Sequence, residues 1–282
     1  MRFATILYEG VPRLVAAADE RSPRLIEGFS DMFALMGAPR AAVEAAYAAG
    51  KPLPETGWRW LAPLPRPGKI IAIGLNYADH CRETGQQPPE KPLVFAKLNS
   101  SVIAHGDVIE WDPSITNSVD YEAELAVVIG KQARLVSEAN ALAHVFGYTI
   151  ANDITARDLQ KSEGQWTRAK GMDTFCPLGP WLVSADEVPD PQNLSIRCTV
   201  NGEMRQNSNT SQMIFSVKTL ISYLSRTFTL YRGDIILTGT PSGVGSAMNP
   251  PRLLHDKAAV TVEIEKLGRL ENVCRELTFR VR

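Results

Sequence analysis

The sequence predicts a β-rich α+β protein, and three observations support this fold class. Most of the chain beyond residue 69 consists of short β-like runs separated by Gly, Pro, Asn and Asp. Helical stretches are few, and they do not alternate regularly with the strands, which argues against a Rossmann-type sheet. With 282 residues, the chain is long enough for one large domain or for a main domain with a small attachment.

Residues 1–65 are predicted to form a small N-terminal α/β unit, and residues 66–282 the main domain. Residues 3–8 have the pattern of a strand, and the alanine-rich residues 31–49 that of a helix interrupted at Pro39. The proline-dense residues 51–68 favour an extended chain. We interpret this stretch as the connector between the two units.

In the main domain, apolar runs bounded by turn residues predict the strands, and longer stretches without Gly or Pro predict the helices. The predicted strands are residues 71–74, 93–96, 125–129, 194–200, 234–238 and 260–265. The predicted helices are residues 137–145, the stretch after Ile154, and residues 211–226.

Composition argues against several classes of protein. Hydrophobic residues make up 44% and charged residues 22% of the chain, and the net charge is −1, so nucleic acid is not an expected partner. No run approaches the ~20 apolar residues of a membrane span, and the N-terminus lacks a signal-peptide pattern. The four cysteines contain no C-x-x-C pair, which favours reduced thiols and a cytoplasmic protein.

Two acids stand close together in the apolar run of residues 120–130. Residues two apart in a strand share a face, so Glu122 and Glu124 would project side by side. If half-buried, they would repel each other, and one would be pushed toward protonation. A divalent cation between them removes this conflict, and oxygen ligands suit Mg²⁺ or Mn²⁺ better than zinc. A solvated strand face is the alternative interpretation of the pair.

A third acid, Asp153, follows the apolar run of residues 147–151. A strand that leads into a helix start commonly ends in such a residue, so Asp153 is either a helix N-cap or a further metal ligand. Lys170 lies between Trp166 and Asp173. It is either an ordinary surface lysine or a cation that neutralises the negative charge of an enolate near the metal.

Two more motifs could carry chemistry. His80 and Glu83 are three residues apart, which places them on one face of a helical turn, and the carboxylate could orient the imidazole as a general base. An exposed helix contact is the alternative for this pair. Residues 237–245 form a strand that enters a glycine-rich turn, whose N–H groups could bind an oxyanion. The turn matches neither the P-loop nor the dinucleotide fingerprint, and it could simply be a tight turn.

Together these segments resemble the fumarylacetoacetate hydrolase family over residues 70–245, in the family's order. The matching blocks are Gly74-x-Asn76-Tyr77-x-x-His80, Phe95-x-Lys97, Asp120-Tyr121-Glu122-x-Glu124-Leu125, Asn152-Asp153-x-Thr155-Ala156-Arg157-Asp158, Lys170-Gly171-x-Asp173-x-x-Cys176-Pro177-x-Gly179-Pro180, and Gly233-Asp234-Ile235-Ile236-x-Thr238-Gly239-Thr240-Pro241-x-Gly243-Val244-Gly245. Two segments depart from the family pattern: residues 98–101, where prolines are usual, and the variable residues 246–251.

The resemblance implies a catalytic domain of mixed β-sandwich roll type that assembles as a homodimer. It implies a Mg²⁺ or Mn²⁺ site at Glu122, Glu124 and Asp153, with Lys170 close to the substrate. It also implies that His80 and Glu83 activate water, and that residues 81–91 form a lid that orders around the ligand. The residues that it implies for substrate binding are Asn76, Tyr77, Lys97, Gly239 and Thr240.

The expected substrate is a small oxo-acid bound through its 2-oxo carboxylate. The sequence leaves open whether the enzyme hydrolyses a C–C bond in a β-diketo acid such as an acylpyruvate or fumarylpyruvate, or decarboxylates oxaloacetate through an enolate. An isomerase or hydratase of unsaturated hydroxy-dioic acids from aromatic catabolism is the alternative from another reaction class. A metal-stabilised binding module is less favoured, since binding alone does not need His80, Glu83 and Lys170 together.

Overall fold

The computed structural model describes residues 1–19 and 22–277 of the chain. These residues form nineteen strands, which are β1 (Arg2–Tyr8), β2 (Val11–Ala17), β3 (Arg24–Ile26), β4 (Lys51–Pro52), β5 (Trp58–Leu61), β6 (Ile70–Gly74), β7 (Leu93–Lys97), β8 (Val102–Ile103), β9 (Val108–Trp111), β10 (Val119–Asp120), β11 (Ala123–Ile129), β12 (Val145–Asn152), β13 (Thr155–Ala156), β14 (Cys176–Ser184), β15 (Ser195–Val200), β16 (Glu203–Asn209), β17 (Ile235–Leu237), β18 (Ala259–Ile264) and β19 (Gly268–Glu276).

The helices are fewer and short. The α-helices are α1 (Met32–Gly37), α2 (Arg40–Ala49), α3 (Ala78–Thr84), α4 (Glu138–Ala141), α5 (Arg157–Ser162), α6 (Thr167–Lys170) and α7 (Val217–Thr227). Single 3₁₀ turns span Asn99–Ser101, Leu142–His144, Ala185–Glu187, Thr210–Gln212 and Gly245–Ala247. The predicted α+β class is confirmed. No helix in the described part of the chain is long and apolar enough to cross a membrane.

Twelve strands form one large sheet in the order β4-β3-β2-β1-β14-β12-β11-β17-β6-β7, with β5 paired to β1 and β8 paired to β14. Most neighbours are antiparallel, but β17 runs parallel to β6. A five-stranded sheet has the order β16-β15-β18-β19-β9, and β10 pairs with β13. The described sheets are open, as expected for a mixed β-rich roll.

The large sheet is covered on both faces, as the central strand β11 illustrates. All seven of its residues are buried. Leu125 and Val127 belong to a core that includes Ile196 and Val262 of the five-stranded sheet. Ala126 belongs to a second core, which includes residues of α1 and α2. Strand side chains alternate in direction, and both faces of this strand are covered. The sequence of β11 is therefore apolar throughout, apart from the acid Glu124 near its start.

The predicted helix at residues 211–226 begins six residues late. Ser216 caps α7 by accepting a hydrogen bond from the Thr219 N–H. The preceding residues are held by the segment that leads into α3: the Ile214 N–H donates to the Asn76 carbonyl at 2.7 Å, and the Phe215 N–H donates to the Asn76 side chain at 2.8 Å. These long-range bonds replace the local ones that a helix would use.

The N-terminal strands continue the large sheet. Strand β1 pairs with β14, with Arg2 opposite Val183 and Phe3 opposite Leu182. The side chains of Ala4 and Ile6 are part of the core that β11 also lines. The division of the chain at residue 65 stays a prediction.

Candidate metal and acid–base site

The pairing of β11 with β12 brings the three predicted ligands together. Glu124 lies in β11, Glu122 precedes that strand, and Asp153 follows β12. Because Ala123 is opposite Asn152 in the ladder, the residues that flank these two positions meet. One carboxylate oxygen of each acid lies within 4.8 Å of the others, and all three side chains are buried. The solvated strand face is therefore the wrong interpretation of the Glu122 and Glu124 pair.

Asp153 is not a helix N-cap. Helix α5 begins at Arg157, and Ala156 occupies the capping position. The Asp153 N–H instead donates to the carbonyl of Glu122 at 2.9 Å, which fixes the two acids side by side.

Three cations face this cluster. Lys170 Nζ lies 2.7 Å from Glu122 Oε2 and 2.7 Å from Asp153 Oδ2. Arg157 Nη2 lies 2.6 Å from Glu122 Oε1, and Lys97 forms an ion pair with Asp153 Oδ1. An unpaired charge at this depth would cost several kcal/mol, and these ion pairs offset that cost for Glu122 and Asp153.

The acids differ in how well their charge is compensated. Burial raises the pKa of Glu124 well above its usual value, and the charges of Asp153 and Glu122 raise it further. Burial also acts to raise the pKa of Glu122, but Lys170 and Arg157 outweigh it, and the net shift is downward. The sequence predicts that one acid of the pair is pushed toward protonation, and the burial and neighbouring charges of Glu124 make it the candidate for that acid.

The donor set fits a hard divalent cation. The cluster offers carboxylate oxygens and no imidazole or thiol, which is the ligand type of Mg²⁺ and Mn²⁺. The pKa of Glu124 is raised by burial first and then by the negative charges of Asp153 and Glu122, which Lys170 only partly opposes. A divalent cation would supply the missing positive charge.

The predicted acid–base pair lies on α3. His80 Nδ1 is 3.3 Å from Glu83 Oε2, as their spacing of three residues requires. When Nδ1–H donates to the carboxylate, the imidazole lone pair resides on Nε2 and can accept a proton. Gly85 ends the helix with a φ of 66°, a left-handed conformation that glycine adopts without strain.

Polar contacts at both ends hold α3 in place. Asp79 accepts hydrogen bonds from Ser208 at 2.5 Å and from Ser242 at 3.4 Å. Glu83 Oε1 accepts from the Gly243 N–H at 2.8 Å. The acid–base pair is therefore fixed to the glycine-rich turn through its own carboxylate. The assignment of residues 81–91 as a lid stays a prediction.

The N–H groups of the glycine-rich turn do bind carboxylates, but these belong to the protein itself. The Gly239 N–H donates to Glu124 Oε2 at 2.8 Å. The N–H groups of Gly245 and Ser246 donate to the buried Asp120 at 2.9 and 3.0 Å. Thus the turn positions Glu124, a candidate metal ligand, and Asp120 at the end of β10, in addition to holding Glu83.

A cavity of about 530 Å³ brings the two groups of residues to one space. Residues from both groups and their neighbours line it: His80, Glu83, Phe95, Glu122, Glu124, Arg157, Gln160, Lys161, Trp166, Lys170 and Thr240. The ring of Phe95 lies 5.1 Å from Lys170 Nζ. A small oxo-acid fits this volume.

The predicted substrate-binding residues differ in whether they line this cavity. Thr240 lines it, although its hydroxyl donates to the Ala123 carbonyl at 2.9 Å. The Asn76 amide donates to the carbonyls of Thr238 and Phe215 and is thereby committed to the backbone. Tyr77 is fully buried beside Glu124 and Asp79, and burial first, then these charges, raise the pKa of its hydroxyl. Substrate contact by these residues, by Gly239 and by Lys97 stays a prediction.

Sequence reasoning missed three residues that shape the site. Arg157 Nε donates to Asp120 at 2.9 Å while its other end faces Glu122. Gln206 accepts from the Ala123 N–H and donates to Thr240, both within 3 Å. Arg157 and Asp120 lie inside the motif blocks that match the family. The arginine that follows Asp153 could therefore have been identified as a site residue from the sequence. Gln206 could not, since it lies on β16, far along the chain.

The fold and this site define a member of the fumarylacetoacetate hydrolase family. Residues 69–275 match the family described as "Fumarylacetoacetate (FAA) hydrolase C-terminal", so the chain belongs to it. The resemblance inferred from the motifs is confirmed.

Named relatives share nearly half of the aligned sequence. The chain is 49% identical over 222 residues to "Oxaloacetate tautomerase FAHD2B, mitochondrial" of Bos taurus, covering 78% of this chain and 70% of that protein. It is 49% identical over 214 residues to "Oxaloacetate tautomerase YisK" of Bacillus subtilis, covering 75% and 71%.

Solved structures match over nearly the whole chain. A fumarylacetoacetate hydrolase from Exiguobacterium antarcticum superposes with a TM-score of 0.88 at 36% identity, covering 98% of this chain and 100% of that one. A 5-carboxymethyl-2-hydroxymuconate delta-isomerase from Mycobacterium smegmatis has a TM-score of 0.82 at 36% identity, with the same coverage. The chain is therefore related to enzymes of more than one reaction type.

Proposed function

We propose that this protein catalyses the keto–enol tautomerisation of a 2-oxo dicarboxylic acid, with oxaloacetate as the substrate of choice. One observation carries the proposal: the His80–Glu83 pair lines the same cavity as Glu122, Glu124 and Lys170. Tautomerisation needs a group that moves a proton and a cluster that stabilises an enolate, and it needs nothing else. The two oxaloacetate tautomerases at 49% identity support this choice of substrate.

In the proposed mechanism, Glu122, Glu124 and Asp153 would hold Mg²⁺ or Mn²⁺, which would supply positive charge to stabilise the enolate. Lys170, whose ammonium already lies within 2.7 Å of two of these acids, adds charge on the side of Phe95. In the enol-to-keto direction, His80 Nε2 accepts the proton of the enol hydroxyl and then delivers a proton to the adjacent carbon, so that the proton count is unchanged. Glu83 keeps the imidazole oriented throughout.

C–C bond cleavage is the second candidate, and the fixed orientation of the acid–base pair favours it. Because Glu83 is tied to the Gly243 N–H, His80 is oriented to activate a water molecule against a distal carbonyl. Hydrolysis of an acylpyruvate or fumarylpyruvate would release the enolate of pyruvate, and the loss of CO₂ from oxaloacetate would form that enolate too. The structural likeness to the Exiguobacterium antarcticum hydrolase supports hydrolysis. The likeness to the Mycobacterium smegmatis delta-isomerase supports the isomerisation of unsaturated hydroxy-dioic acids.

A substrate panel with Mn²⁺ and with chelator separates these reactions. Tautomerisation removes the enol absorbance of oxaloacetate without releasing pyruvate, whereas decarboxylation and acylpyruvate hydrolysis both yield pyruvate, which a coupled dehydrogenase assay detects. We expect enol loss without pyruvate, abolished by chelator, and a ~10²–10⁴-fold slower reaction for His80→Ala. Pyruvate release at the rate of substrate loss would contradict the tautomerase and favour cleavage. If only an unsaturated hydroxy-dioic acid in the panel is converted, the result would favour the isomerase.

We also propose that the protein works as a homodimer, on the family likeness, and in the cytoplasm, on the pattern of its four cysteines. Sedimentation or light scattering at micromolar concentration tests the oligomeric state, and a monomeric mass would contradict the proposal.

A further inference from the structure

Each of the three acids has one carboxylate oxygen that another group of the protein anchors. The anchors are the Gly239 N–H on Glu124 Oε2, Arg157 on Glu122 Oε1, and Lys97 on Asp153 Oδ1. Anchoring one oxygen leaves the other to face the cluster in a fixed direction. Such outer contacts tune metal sites because they set the orientation of the ligands before the ion arrives.

Lys97 is an anchor that does not line the cavity. It is the last residue of β7, its side chain is fully buried, and it is absent from the cavity lining. Lys170, by contrast, lines the cavity. The two lysines therefore have different surroundings although both pair with Asp153.

The ammonium of Lys97 has no donor left for a substrate. A lysine carries three N–H donors. Lys97 Nζ donates to Asp153 Oδ1 and to the carbonyl of Lys170, and it lies 3.4 Å from the carbonyl of Ile154. A buried ammonium costs several kcal/mol unless its donors are satisfied, and these three acceptors satisfy them.

One fixed cation thus holds two parts of the site. It fixes the carboxylate of Asp153, a predicted ligand, and the backbone of Lys170, the last residue of α6. Movement of Lys97 would shift a ligand and the catalytic lysine together.

We propose that Lys97 is a positioning residue, which orients Asp153 and Lys170 for the divalent cation and does not contact the substrate. This inference rests on the metal site of the proposed function, but it does not depend on which reaction the enzyme catalyses. It replaces the substrate-binding role expected from the family motif.

Calorimetric titration of Mn²⁺ into the intact Lys97→Met variant tests the proposal, because positioning and simple charge predict opposite results. If Lys97 positions Asp153, the variant binds Mn²⁺ ~10–100-fold more weakly, the usual cost of losing an outer-shell partner. If Lys97 were only a nearby positive charge, its removal would tighten Mn²⁺ binding. We expect weaker binding, together with an unchanged KM for oxaloacetate at saturating Mn²⁺. Tighter or unaltered Mn²⁺ binding, or a raised KM, would overturn the proposal.

Lys97→Arg keeps the charge but cannot hold the same three acceptors. It should also bind Mn²⁺ more weakly, and wild-type affinity in this variant would overturn positioning even if Lys97→Met fails to fold. Lys69→Met is the matched control: Lys69 precedes Ile70, the ladder partner of Lys97, and pairs with Asp234 rather than with the cluster. Its Mn²⁺ affinity should stay at the wild-type value. A wild-type protein that binds Mn²⁺ without tautomerising oxaloacetate would contradict the proposed function, while the Mn²⁺ titrations of the Lys97 variants would still test positioning.

Discussion

At the scale of single residues, Glu124 is the acid that a cation benefits most. Its pKa is raised by burial and by two neighbouring carboxylates, while Lys170 and Arg157 compensate Glu122. The negative charge of Glu124 is therefore less well compensated than that of Glu122. We expect Glu124 and Lys170 to differ in what they contribute to metal binding.

We predict that Glu124→Ala weakens Mn²⁺ binding more than Lys170→Ala does. The first variant removes a ligand oxygen, and its loss should exceed the ~10–100-fold typical of an outer-shell partner. The second removes a cation that competes for Glu122 Oε2 and Asp153 Oδ2, so it should cost little affinity while abolishing turnover. Parallel calorimetric titrations measure the difference, and superimposable curves would contradict it.

We predict that His105 makes the stability of the folded protein sensitive to acid. Burial lowers the pKa of its ring, an effect that the charge of Glu271 only partly opposes, and Nδ1 accepts a hydrogen bond from the Glu271 N–H at 3.2 Å. The unfolded chain, with a histidine pKa of ~6.5, binds the proton more readily, so stability falls as the pH drops below that value. The melting temperature should decrease between pH 7.5 and pH 5, and less so in His105→Gln. Equal decreases in both proteins would contradict this role.

At the scale of elements, α3 is held by hydrogen bonds near both of its ends. Its sequence predicted the spacing of His80 and Glu83, which the structure confirms at 3.3 Å. Its anchors could not be predicted, because Ser208 and Gly243 lie more than 120 residues along the chain. For the same reason the start of α7 was misplaced: the competing bonds come from Asn76, on a distant segment.

We predict that Asp79→Ala lowers kcat by ~10²-fold with little change in Mn²⁺ affinity, since it releases α3 from Ser208 and Ser242 without touching a ligand. Hydrogen exchange over residues 78–91 should quicken in the variant. Asp31→Ala is a suitable control, because Asp31 caps α1, away from the cavity, and its loss affects stability alone. A normal kcat for Asp79→Ala would mean that the hydrogen bond between Glu83 and the Gly243 N–H is sufficient to hold α3.

At the scale of the whole molecule, the three acids could be predicted from the sequence, whereas the contacts that orient them could not. Each ligand adjoins an apolar run that reads as a strand, so local pattern sufficed to nominate Glu122, Glu124 and Asp153. The contacts that orient them cross the chain: Gly245 to Asp120 spans 125 residues, and Gln206 to Ala123 spans 83. Single-sequence patterns report periodicity and spacing, and they carry no information on which distant side chain fills a given hydrogen bond.

The same limit applies to the division of the chain at residue 65, which Ile6 can test. Composition separates the first 65 residues, yet the fully buried side chain of Ile6 packs in the core that contains Leu125 and Val127. If that core is shared, Ile6→Ala costs ~2–5 kcal/mol and shifts one cooperative transition of the entire protein. Val11→Ala, in the exposed start of β2, should leave that transition in place. Differential scanning calorimetry decides between the two organisations: two transitions, of which Ile6→Ala moves only one, would make the N-terminal segment a unit of its own.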